Sequence, residues 1–262
     1  MTHMDTYRAE ALEPVLVHGS DEERLLRERT LRTEVGRLDE FMGAFRSSTV
    51  TLLDCDCGYA SSLLHQMCVR AVSEFDEEVV WIDGGNAVDP YTLSSLCKRL
   101  RLDKREVLSS VNISRAFTAY QLVSLIDEKL EEQVGRCRPG MVIVSSLVDQ
   151  FLDKDMKWAE SHQLLKRCAE SISRVTKDHE TITLVSDHTP GYIQPDQRMS
   201  AVLYERFDRI VQMRGRKGGM MFRLPAEGRS MFFSPAPWNQ TTLDEYRGDD
   251  HGKDGAHIPL GP

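Results

Sequence analysis

Short runs of β-branched and apolar residues recur along the chain, separated by segments of helix length. TVTLLD (Thr49 to Asp54), EVVWID (Glu78 to Asp83), VNISRA (Val111 to Ala116), MVIVSSL (Met141 to Leu147) and TITLVSD (Thr181 to Asp187) are each bounded by turn residues. That alternation predicts an α/β fold with a largely parallel sheet covered by helices. The pattern changes after Phe207, where DRIVQMR, GGMMFRL and RSMFF are separated by RKG and PAEG. Such spacing predicts an antiparallel meander closing one edge of the sheet. From Ser20 to Phe45, apolar residues at Leu25, Leu26, Leu31, Val35, Leu38 and Phe41 trace one face of a helix broken near Gly36. Residues from Pro235 onward are rich in Pro, Gly and Asp and are expected to form a disordered tail. The organisation read from the pattern is an N-terminal helical segment (1–45), one core (46–234) and a tail (235–262).

Composition narrows the function classes. A chain of 262 residues with 40% hydrophobic residues can bury one large core. A net charge of -8 argues against a dedicated nucleic-acid binder, so any such contact must come from a local patch. The densest basic group is Arg206, Arg209, Arg214, Arg216 and Lys217, with Arg223 and Arg229 on the meander. It is a candidate DNA or partner contact, against the plainer reading of a solvated hairpin tip. Six cysteines spread through apolar segments, and an N-terminus without an apolar signal region, fit a reducing, cytoplasmic setting. No run approaches the roughly 18 apolar residues that span a bilayer, so no membrane role is expected.

Candidate chemistry gathers in LLDCDCGYASSLLHQM (Leu52 to Met67), where a strand, a short loop and an apolar helix follow in the order used by a phosphate-binding loop. Cys55 and Cys57 with His65 and Cys68 also invite a metal reading. Their spacing matches no common zinc motif, and buried free thiols are the simpler account; redox sensitivity of the close pair is a further alternative. In IDGGNAVDPY, Asp83, Asn86 and Asp89 cluster as a catalytic loop would. The plainer reading is a strand end, a glycine turn and a proline-started helix capped by Asp89.

Five parallel-type strands, a first turn shaped like a phosphate loop and a C-terminal meander resemble the ATPase core of the RecA/RadA recombinase superfamily. WIDGGNAVDPYTL (Trp81 to Leu93) is similar to its second core strand and the following turn. NISRAFTAYQLVSLIDEKL (Asn112 to Leu130) resembles archaeal RadA/RadB-like paralogues, with Arg115, Phe117 and Gln121 at matching places. WAESHQLLKRCAESI (Trp158 to Ile172) resembles the long helix before the sensor strand. The resemblance covers Thr33 to Phe233 and implies a RecA-like three-layer core.

It also implies a degenerate nucleotide pocket. The phosphate-loop pattern GxxxxGK[ST] laid over Asp54, Cys55, Asp56, Cys57, Gly58, Tyr59, Ala60 and Ser61 puts Asp54 and Tyr59 at the glycines and Ala60 at the lysine, and keeps only the hydroxyl, Ser61. A charge pair about 5 Å apart at an effective dielectric near 20 is worth roughly 3 kcal/mol, so exchanging an attraction for repulsion by Asp54 and Asp56 costs orders of magnitude in affinity. The family's magnesium-ordering acid falls at Ser145 or Ser146, with Asp149 the nearest carboxylate, and its water-polarising glutamate falls at Gly85. Asp83 is expected to line whatever pocket remains. No cofactor is expected, ATP and magnesium entering only in an altered pose.

The implied role is a pseudo-ATPase acting as an accessory protein in recombination or repair, in contact with a recombinase or other repair protein and weakly with single-stranded DNA. The loops that touch DNA in recombinases correspond to Gln150 to Met156 and Thr189 to Gln197, and here they carry Asp153, Asp155 and Asp196. Phe41 to Ala44 imitates the family's Phe-x-x-Ala polymerisation motif but reads more simply as a helix end. Two alternatives stay open: an ATPase that holds nucleotide through Ser61, Asp83 and Asp149, and a regulatory module of the clock-protein-like branch.

Overall fold

The computed structural model of the chain describes residues 29–188, 199 and 201–234. Each predicted core strand forms: β3 (Thr49–Cys55), β4 (Val79–Asp83), β5 (Val111–Arg115), β6 (Met141–Ser145) and β7 (Ile182–Asp187), preceded by the short β1 (Thr30–Leu31) and β2 (Phe45–Arg46). The meander is β8 (Arg209–Arg216), β9 (Gly219–Leu224) and β10 (Arg229–Phe233). Helices α1 (Gly36–Met42), α2 (Tyr59–Phe75), α3 (Pro90–Arg99), α4 (Lys104–Ser109), α5 (Ala119–Ser124), α6 (Leu130–Cys137), α7 (Trp158–Asp178) and α8 (Ala201–Tyr204) fill the intervals, with a π-helical turn at Leu125–Lys129 joining α5 to α6.

The main sheet runs in the order β10-β9-β8-β3-β7-β6-β4-β5. β3 lies between β7 and β8 and is parallel to both, while β8, β9 and β10 pair antiparallel. Strand alternation gives the sheet two apolar faces. Leu53, Trp81, Ile143, Leu184 and Met213 meet Leu63, Met67 and Leu96 on one side. Leu52, Ile82, Val144 and Val185 meet Leu122, Leu165, Ala169 and Ile172 on the other. Covering both faces is what permits the unbroken apolar runs of the parallel strands. The carboxyl ends of β3, β4, β6 and β7 share one rim, the usual place for a ligand in an open α/β sheet.

The segment before the core differs from the expected helix. Thr30–Leu31 is a strand, antiparallel to Phe45–Arg46, and the helix begins at Gly36 instead of breaking there. The reason is a buried carboxylate: Asp39 accepts hydrogen bonds from the Thr33 amide (2.8 Å), the Thr33 hydroxyl (2.8 Å) and the Glu34 amide (3.0 Å). Gln66 on α2 donates to the Thr33 carbonyl at 2.6 Å. These bonds hold Thr33 and Glu34 outside any helix, which apolar periodicity does not register. Residues 20–28 of that reading, and the 235–262 tail, lie outside the described residues. Among the described residues no helix is long and apolar enough to cross a membrane.

Candidate functional site

The loop between β3 and α2 has the outline of a phosphate loop: the strand ends at Cys55 and the helix opens on Tyr59, the position of the pattern's second glycine. Its contents are different. Cys55 is 1% exposed, and its sulfur accepts the Cys57 amide at 3.4 Å and a hydrogen bond from the Ala60 amide. In return the thiol donates to the Cys57 carbonyl at 2.9 Å. Backbone donors that would face a phosphate in such a loop are thus turned toward the chain's own sulfur. Tyr59 packs edge-on against Phe222 and tilted against Phe233, with ring centroids 5.9 and 6.3 Å away, so the partly buried ring lies against the apolar core. Ala60 is buried beneath the same turn.

Asp54, fully buried, is held from across the sheet. Arg214 on β8 pairs with its carboxylate and donates to its carbonyl at 2.7 Å, and the Tyr204 hydroxyl donates to the same carboxylate. Gln212 donates to the Tyr204 oxygen at 2.8 Å and completes the network. Burial pulls the Arg214 guanidinium down, but the Asp54 hydrogen bond and charge outweigh it and leave it above its ordinary value. Burial and the same carboxylate push the Tyr204 phenol up. Asp56 accepts the Gly215 amide at 2.7 Å, a second tie between loop and β8.

The turn after β4 is organised around Asp83, which is also fully buried. One carboxylate oxygen accepts the amides of Gly85 (3.4 Å) and Ala87 (2.8 Å) and the Ser145 hydroxyl (2.9 Å). The other accepts the Val88 amide at 3.2 Å and Arg115 Nε at 3.1 Å. Asp83 therefore does not line an open pocket, contrary to expectation, because the turn consumes its lone pairs. Ser145 bridges it to Trp81, whose indole N–H reaches the hydroxyl at 3.0 Å.

Gly84 and Gly85 are explained by close approach to the end of β6. A side chain on Gly85 would place its Cβ 2.4 Å from Ser146 and 3.2 Å from Asp149, so a glutamate there has no room without displacing both. Asp149 thus comes beside Gly85 and Ser146. Its carboxyl is raised by burial, against the opposing effects of a Ser146 hydrogen bond and His188. Ser61 donates to the Ala87 carbonyl at 3.4 Å, which ties the surviving hydroxyl of the loop to the Asp83 turn. The simpler reading of the helix that follows holds, since Asp89 caps α3 through the Tyr91 and Thr92 amides at 2.9 and 3.3 Å.

His65 belongs to this scaffold and not to a metal cluster. Nδ1 lies 2.7 Å from the Ser61 carbonyl and must donate to it, which leaves Nε2 to accept the Asp89 amide at 2.9 Å. That tautomer is neutral, in keeping with burial pulling the imidazole below its ordinary value. Among the described residues no three histidine, cysteine or acidic side chains are placed to share a metal ion.

The basic group does not form one patch. Arg214 is inside, and Arg209 is half-buried, with its guanidinium on the Met42 and Ala44 carbonyls and pulled down by burial. Arg206 pairs with Glu170 at 3.4 Å and Arg229 with Glu227 at 2.7 Å, the latter also lying 5.1 Å over the Phe41 ring. Arg216, Lys217 and Arg223 are the members left at the exposed surface of the hairpin. Phe41 and Met42 are buried at the end of α1, in line with a helix end. Of the two loops matched to DNA-contacting segments, 150–156 carries Gln150, donating to the Gly84 carbonyl at 2.5 Å, and 189–197 lies outside the described residues.

Sequence reading missed Arg214, Tyr204 and Met220 as parts of the loop's surroundings. Alternation along β8, which gives Arg214 the same face as Gln212, was the one available signal. The family model described as Rad51 matches residues 26–197, a span that contains the loop, the Asp83 turn and the long helix α7.

Proposed function

This chain belongs to the Rad51 family, with its RecA-like core and its role in recombination and repair, and from that premise we propose that it is a pseudo-ATPase that serves the process as an accessory protein. The observation that carries the proposal is the filling of the phosphate loop: the Cys55 sulfur takes the amides of Cys57 and Ala60, and the Tyr59 ring packs against the core. These residues do not fit a nucleoside triphosphate in the family's pose. Asp54 adds a negative charge, and the guanidinium beside it, Arg214, is engaged by that carboxylate. The room for a water-polarising glutamate at Gly85 is taken by Ser146 and Asp149. Such a protein acts by contact, with a recombinase or another repair protein as the natural partner. Arg216, Lys217 and Arg223 supply a small cationic surface for a weak, salt-sensitive contact with single-stranded DNA.

Calorimetric titration with magnesium-ATP tests this. No heat is expected under conditions that register a dissociation constant of about 1 mM, or about -4 kcal/mol. Micromolar binding followed by hydrolysis that disappears in Asp149→Ala would sink the pseudo-ATPase reading in favour of an active ATPase with an altered pose.

A further inference from the structure

The sulfurs that fill the loop also have a chemistry of their own, which the function proposed above does not use. Cys55 Sγ and Cys57 Sγ lie 3.3 Å apart, and Cys57 Sγ lies 3.4 Å from the thioether sulfur of Met220 on β9. All six cysteines are free thiols. Cys55 is sealed from solvent, whereas Cys57 is half-buried and open to a small reagent. Cys68 and Cys97, by contrast, are both fully buried.

We propose that Cys55 and Cys57 are a redox-active dithiol that closes reversibly to a disulfide within the loop, by exchange with a low-molecular-weight disulfide. The Cys57 thiolate attacks one sulfur of the reagent, forming a mixed disulfide and expelling one small thiolate. Cys55 then gives up its proton to solvent and its thiolate attacks Cys57 Sγ, expelling the second small thiolate. The protein loses two electrons and two protons, and the reagent disulfide is reduced to two thiols. Closure needs the sulfurs to approach by about 1 Å, within reach of side-chain rotation in a loop already holding them in contact.

The order of events follows from the surroundings. Burial pushes the Cys55 thiol up to about 12, so it resolves the mixed disulfide and does not initiate. Its proton loss makes closure the slow step, and closure accelerates as pH rises through the neutral range. When the disulfide forms, the Cys57 sulfur leaves Met220 and the Cys55 sulfur leaves the Cys57 and Ala60 amides. The redox state is thereby coupled to the packing of β9 and to the loop's backbone donors.

The test equilibrates the full chain with oxidised and reduced glutathione in varied ratio, quenches with an alkylating agent and measures tryptic peptides by mass. The peptide Ser47 to Arg70 contains Cys55, Cys57 and Cys68. Oxidising ratios are expected to remove the mass of two hydrogens from it and to leave one alkylated thiol. Cys68→Ser is expected to keep the loss, and Cys57→Ser to abolish it. A glutathione adduct that persists at equilibrium without closing, two alkylated thiols beside Cys68 at the most oxidising ratio, or closure that survives Cys57→Ser would each overturn the proposal. The wild-type measurement decides the matter even if a variant fails to fold.

Discussion

Two buried aspartates stand at the carboxyl ends of β3 and β4, and they are stabilised in opposite ways. Asp83 is met mostly from its own neighbourhood: the amides of Gly85, Ala87 and Val88 curl back onto it, and Arg115 and Ser145 add to them. Asp54 is met from far along the chain, by Arg214 and Tyr204. A carboxylate wrapped by its own turn keeps several donors if any one is removed. One neutralised by a distant guanidinium depends on that strand staying docked. The difference assigns the β4 turn a self-contained role and makes the loop between β3 and α2 a joint between the parallel core and the meander.

The sharpest way to break this comparison is to remove the arginine from each. Arg214→Ala leaves Asp54 buried with its main counter-charge gone and is expected to lower unfolding stability by about 3–5 kcal/mol in urea titration. Arg115→Ala, at a side chain one-third exposed (33%), leaves Asp83 its backbone donors and is expected to cost about 1–2 kcal/mol. Equal losses in the two variants would mean that the local wrapping of Asp83 contributes little.

The smallest effect comes from His65, which sharpens the picture of the β4 turn. Its imidazole is neutral when folded and lies below its ordinary 6.5, through burial first, with the Ser61 carbonyl, Asp89 and Asp83 opposing. The unfolded chain therefore binds this proton more readily than the folded one. The His65 contribution is fully present above pH 6.5 and is lost as pH falls below it. Between about pH 7 and about pH 6 the loss is at most roughly 0.7 kcal/mol. Stability measured against pH in wild type and His65→Gln checks it: the variant's slope in that window is expected to be shallower, whatever its absolute stability, and an unchanged slope would remove His65 as the cause.

Much of the fold was legible because parallel strands buried on both faces carry unbroken apolar runs, and the five core strands and the meander lie where those runs lie. The cap at Asp89 was legible for a similar reason: its partners, Tyr91 and Thr92, are within one helical turn. The segment before the core was read as a helix broken near Gly36, where a strand and a helix starting at Gly36 stand, because Leu31 and Leu38 fit one helical face. The competing bonds from Thr33 and Glu34 to Asp39 have no periodicity. In the candidate site, Tyr59 and Ala60 were visible as residue types at the start of α2, but the partners they pack against were not. Arg214 looked like part of a basic surface, and its ion pair inverts that reading.

By itself the sequence determined which core segments are strands and helices and that a strand, a short loop and a helix follow one another from Thr49 to Phe75, since these depend on residue type and on contacts within a few positions. Tertiary structure alone decided that Arg214 turns inward to Asp54, that Met220 meets Cys57 and that Ser146 closes the space at Gly85. Those contacts join segments distant in the chain, and the strand order and register of the sheet, which no local preference encodes, bring them together.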